Sequence, residues 1–66
     1  MKVQFDPDAN ALFIVLDETA VKNSAEVSPG ITLDYDENDR VVAIEVLNAR
    51  DRVPAEELKR IFFEVA

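Results

Sequence analysis

The sequence predicts an α+β fold: a small, mainly antiparallel β-sheet of four to five strands from two hairpins, with one C-terminal α-helix packed on one face. Three observations predict it. Residues 2–16 and 31–47 each set two apolar runs about a polar turn, the pattern of a β-hairpin. Through most of these runs apolar residues alternate, as on a half-buried strand. After Pro54, residues Leu58, Ile61, Phe62 and Val65 recur at i, i+3, i+4 and i+7, one stripe of an amphipathic helix. The chain of 66 residues reads as a single domain, 1–66.

In the first hairpin, Val3 and Phe5 share one face of a strand over residues 2–6. Asp6-Pro7-Asp8-Ala9-Asn10 breaks the alternation, with Pro7 suited to the second position of a turn. Residues 11–16 are apolar without interruption. Leu12, Ile14 and Leu16 fall on one face, and Ala11, Phe13 and Val15 on the other. Residues 17–29 are mixed and polar and admit a short strand near 24–27. Pro29-Gly30 then punctuates the chain at its only glycine, where a turn calls for positive φ.

In the second hairpin, Ile31, Leu33 and Tyr35 alternate with Thr32 and Asp34. After the turn Asp36-Glu37-Asn38-Asp39-Arg40, residues Val42, Ile44 and Val46 share a face, and Val41, Ala43, Glu45 and Leu47 share the other. Pro54 suits the first position of the predicted helix, and Glu56 and Glu57 suit its first turn, near the positive end of the helix dipole. The helix is predicted to run to the end of the chain and to need the sheet for its stability.

Composition excludes several functions. There is no cysteine and no histidine, so no disulfide, no Cys- or His-based nucleophile and no soft-metal site of the usual kind. Fourteen acids against seven bases give a net charge of −7. That balance argues against nucleic acid and against an anionic membrane, and it is compatible with a basic protein partner. No apolar run approaches a transmembrane span, and the first residues do not read as a signal peptide. The cytoplasm is the expected location.

The run Glu26-Val27-Ser28-Pro29-Gly30-Ile31, with Leu33-Asp34-Tyr35-Asp36-Glu37, Arg40-Val41-Val42 and Ile44-Glu45-Val46-Leu47, resembles the YuzE-like family of small prokaryotic proteins. Asp6-Pro7, Ala9, Ala11-Leu12, Ile14 and Leu16 match the N-terminal motif of that family, and the resemblance covers residues 5–49. The family is one of unknown function. Its pattern usually has glycine where this chain has Asp39, and often glycine or a small residue at Ala43. The resemblance implies a small sheet plus helix, no known catalytic residues, and an antitoxin-like role beside a small basic toxin.

Two constellations remain. Asp34, Asp36, Asn38, Asp39 and Glu45 approach the spacing of a calcium loop, but Asp39 replaces the turn glycine and the flanks read as strands. A cation- or small-ligand-binding domain using the acidic turns is therefore the alternative function. The acids cluster at turns that water reaches, so no catalytic, metal or cofactor residue is assigned and the chain does not read as an enzyme.

The second constellation is apolar. One helix covers one side of a sheet, so a helix over Leu12, Ile14, Leu16, Val42, Ile44 and Val46 leaves Phe13, Val15, Val41, Ala43 and Leu47 open. An open face of this kind marks an interface. The expected function is a small acidic protein-interaction domain that self-associates through that face. Phe13→Glu is expected to drive it towards monomer.

Overall fold

The structure is a computed structural model describing residues 1–66. Five strands form one antiparallel sheet: β1 (Lys2–Asp6), β2 (Ala11–Val15), β3 (Asn23–Ser28), β4 (Ile31–Tyr35) and β5 (Val41–Leu47). Their spatial order is β1-β2-β5-β4-β3, so β5 is the central strand. One helical turn, α1 (Ala49–Arg52), and a 3-10 helix (Ala55–Lys59) follow.

Turn chemistry makes the hairpins. Asp6 Oδ1 accepts the backbone N–H groups of Asp8 (3.0 Å) and Ala9 (3.3 Å), and Asn10 closes the first turn at φ 54°. Pro29-Gly30 joins β3 to β4, with Gly30 at φ 79°. A Cβ there would lie 3.1 Å from Arg52 Nη2. In the third turn the Asp36 carbonyl accepts the Asp39 N–H (3.1 Å), and Asp39 adopts φ 60°. That is the left-handed position at which the resemblance expects glycine.

Register fixes the faces. Val3 pairs with Ile14 and Phe5 with Leu12; Leu12 pairs with Val46 and Ile14 with Ile44; Ile44 pairs with Leu33 and Val46 with Ile31. Paired residues share a face, so these eight apolar side chains lie on one side of the sheet. The opposite side carries Gln4, Phe13, Glu45 and Thr32 in one row, and Val15, Ala43, Asp34 and Ser24 in the next.

A register shift between Asp34 and Tyr35 alters one expectation. Asp34 pairs with Ala43, but Tyr35 pairs with Val41, leaving Val42 as the extra residue of a bulge. Val41 thereby leaves the alternation that would set it beside Ala43. The bulge is anchored by the Val42 carbonyl, which accepts the N–H groups of Leu16 (2.8 Å) and Asp17 (3.1 Å).

The C-terminal α-helix expected from Pro54 onwards is not formed. The chain makes the 3-10 helix Ala55–Lys59, turns extended at Arg60 (φ −152°, ψ 151°), and has no regular structure beyond it. The stripe Leu58, Ile61, Phe62 and Val65 has the right spacing, but Ile61-Phe62-Phe63-Glu64-Val65 is rich in β-branched and aromatic residues that lose rotamer freedom in a helix. A segment this short does not hold a helix without a surface to pack on.

The sheet consequently lacks a full second layer. Only six residues are buried, and the apolar ones are Ala11, Val42, Ala43 and Ala49. No leucine, isoleucine or phenylalanine is among them. The radius of gyration is 12.5 Å, against about 11 Å for a compact chain of this length.

Candidate functional site

The sheet presents two surfaces of different chemistry. The first is the apolar face. Over β1 and β2 it is partly roofed by the chain itself: Val3, Phe5 and Leu12 form a shallow groove of about 360 Å³ with Val53, Leu58 and Ile61 of the C-terminal segment. Over β5 and β4, Ile44, Val46, Ile31 and Leu33 remain half-buried, and no charged residue lies among them. The tail beyond the 3-10 helix is more open still. Ile61 is 64% exposed, Phe62 74%, Phe63 72% and Val65 86%.

The second surface is the acidic face. Asp34 is buried there, and Ser24 Oγ donates to its Oδ1 at 2.6 Å from the neighbouring strand. Glu45 lies beside it on β5. A side-chain hydrogen bond with Asp34 is the largest influence holding the Glu45 carboxyl above its ordinary range, and desolvation and the Asp34 charge add to it. A protonated Glu45 can donate to Asp34, whereas two neighbouring carboxylates repel. Phe13 and Thr32 are the direct cross-strand neighbours of Glu45.

The expected interface residues thus divide. Phe13, Val15, Ala43 and Leu47 follow the alternation of the acidic face, interleaved with Glu45, and the bulge sets Val41 opposite Tyr35 instead. Ala43 is buried and contributes little surface. Of the residues expected beneath the helix, Ile44 and Val46 are left half-buried without it, whereas Leu12 lies under the C-terminal segment and Val42 is buried at the bulge.

The residues of the calcium-like spacing do not converge. Asp34 and Glu45 point to the acidic face, while Asp36 caps its own turn. The Asp36 Oδ1 accepts the N–H groups of Asn38 (2.9 Å) and Arg40 (3.0 Å), and Oδ2 lies 3.4 Å from Arg40 Nε. The Arg40 backbone N–H is the largest influence keeping the Asp36 carboxyl below its ordinary range; burial opposes it, and the Asn38 N–H and Arg40 guanidinium assist. No three acidic groups are placed to share one cation.

Two arginines not singled out from the sequence tie down the end of the sheet. Arg50 Nη2 donates to the Pro7 carbonyl (2.9 Å) and its guanidinium lies 5.5 Å from the Phe5 ring centre. Its N–H donates to Asn10 Oδ1 (3.0 Å), and the Ala49 N–H donates to the Asn10 carbonyl (3.0 Å). Arg52 donates to the Pro29 carbonyl. The signal was faint: two arginines just past a strand, with two turns whose carbonyls need donors.

These features define a small, open-faced, five-stranded antiparallel sheet domain rather than an enclosed site. The chain belongs to the family described as a protein of unknown function (DUF2283), whose profile matches residues 2–50, the whole sheet and the start of α1. No curated protein and no solved structure matches the chain. No helix is long and apolar enough to cross a membrane.

Proposed function

We propose that this chain is a non-catalytic protein-interaction domain that self-associates, of the YuzE-like kind, acting in the cytoplasm. The observation that carries the reading is an apolar sheet face without a complete second layer. A stable domain needs two packed layers around a core. This one has half-buried isoleucines and leucines where the second layer belongs. The C-terminal helix that would have supplied that layer within one chain is replaced by a partner.

The net charge of −7 adds a second partner class. Acids outnumber bases two to one, and Glu26 and Glu45 lie on the face away from the apolar layer, beside the buried Asp34. That surface suits a basic protein, in keeping with an antitoxin-like role. Calcium binding through the acidic turns is the weaker alternative, since the Asp36 carboxylate is already engaged by its own turn.

Sedimentation velocity across a concentration series tests the main reading. A mass above one chain that falls on dilution is expected. A mass of one chain at about 500 µM, where even an affinity near 100 µM gives mostly dimer, removes self-association and leaves only the basic partner. Heat on calorimetric titration with calcium at sub-millimolar concentration would instead promote the alternative.

A further inference from the structure

Two apolar surfaces of the chain do not meet within one copy. One is the β4–β5 part of the sheet face, around Ile31, Leu33 and Ile44. The other is the C-terminal tail, with Phe62 and Val65 largely exposed. The chain's own 3-10 helix stops over β1 and β2, and Arg60 turns the backbone extended there.

Resting on the self-association proposed above, we infer that the occupant of the open face is a second copy of this chain, and that the copies exchange tails. Residues 62–66 of each lie across β4 and β5 of the other. The exchange is isologous, so two identical contacts close a C2 dimer.

Three quantities on the molecule support a second copy. A compact monomer of 7.4 kDa exposes about 4200 Å², whereas this chain exposes 5011 Å². The difference, about 800 Å², is what one partner contributes to a standard interface. Charge agrees as well. A copy carrying −7 is repelled by any acidic surface, and the β4–β5 part of the apolar face holds no charge. A basic partner finds nothing to pair with there and is directed to the other face. Finally, Leu58, Ile61, Phe62 and Val65 recur at helical spacing. Leu58 and Ile61 already lie against the chain's own β1 and β2; Phe62 and Val65 continue the stripe over the sheet of the second copy, so the docked tail folds as a helix.

The test compares the full chain with the double variant Phe62→Ser, Val65→Ser by sedimentation and circular dichroism. Both positions are in solvent in a single copy, so the sheet folds without them. The expected result is a dimer for the parent, with helical signal rising with concentration, and a monomer with neither property for the variant. A variant that keeps the parental dimer affinity overturns the tail exchange while leaving self-association standing. A monomeric parent overturns both.

Direction is read by cross-linking, which the absence of native cysteine makes clean. Chains carrying Val65→Cys are mixed with chains carrying Leu33→Cys and oxidised. A disulfide-linked heterodimer is expected. If a chain carrying both substitutions closes on itself in dilute solution, and the mixed pair does not cross-link, the tail lies on its own sheet and the exchange is wrong.

Discussion

Leu33 and Asp34 are neighbours in β4 and lie on opposite faces of the sheet, and the two faces meet exposure differently. The acidic face satisfies itself. Ser24 donates to Asp34, the Glu45 carboxyl beside it is held above its ordinary range, and the small Ala43 is buried in the same row as Asp34. The apolar face cannot do so, because leucine and isoleucine gain only by losing water. Its one internal recourse is the short C-terminal segment, which reaches β1 and β2 and no further. Polar groups can be satisfied by single neighbours within a sheet, whereas an apolar face needs a whole second layer.

The largest expected effect separates the faces directly. Leu33→Glu places a charge on the face proposed for the second copy; it should abolish the proposed dimer and cost about 2–4 kcal/mol. Phe13→Gln, on the acidic face, should keep the dimer mass and cost about 1 kcal/mol. Glutamine is the sharper replacement than glutamate at this position. Phe13 lies directly opposite Glu45, so a second carboxylate would destabilise the sheet whatever its oligomeric state. Sedimentation and thermal melts on both variants decide. The reverse order would return the interface to the face of Phe13 and Val15.

A smaller effect is expected from the acids, with opposite signs for Asp36 and Glu45. Asp36 is held below its ordinary value of 3.8, so its ionised form stabilises the fold. Asp36→Asn should lower the melting temperature at neutral pH. The parent's advantage should vanish as pH falls below 3.8 and through the lower folded value. Glu45 is held above its ordinary value of 4.5, so its neutral form is the one the fold favours. That stability is complete below 4.5 and is lost as pH rises through the folded value. Glu45→Gln, which mimics the protonated side chain, should raise the melting temperature at neutral pH and make no difference in acid. Melts at a series of pH values read both; a fall for Glu45→Gln at neutral pH would remove the acid pair from the account of this face.

The smallest effect belongs to the turn that both faces share. Asp39 stands at φ 60°, so Asp39→Gly should add up to about 1 kcal/mol. High salt screens the loss of one acid, and a gain that persists there is conformational.

Much of this fold was legible because it is written in short-range chemistry. Alternation of period two assigned Leu12, Ile14, Ile44 and Val46 to one face, and the register agrees. Gly30 was expected at positive φ and adopts it, and Asp39 adopts it at the position where the resemblance has glycine. The acid pair could also have been found, since the turn at 36–40 brings Asp34 and Glu45 to adjacent strands on one face.

Other features depend on contacts between distant residues. The β2–β5 pairing that joins the hairpins, the bulge that removes Val41 from its row, and the capture of two turn carbonyls by Arg50 and Arg52 are invisible to local patterning. The tail is the clearest case. Its helical spacing is a property of the sequence, but a helix of one or two isolated turns is paid for only by the surface it covers. The sequence by itself determined where the strands and turns of the two hairpins fall and which of their side chains alternate. Tertiary structure alone decided which face stays open, because that depends on where the last segment finds a layer to lie against.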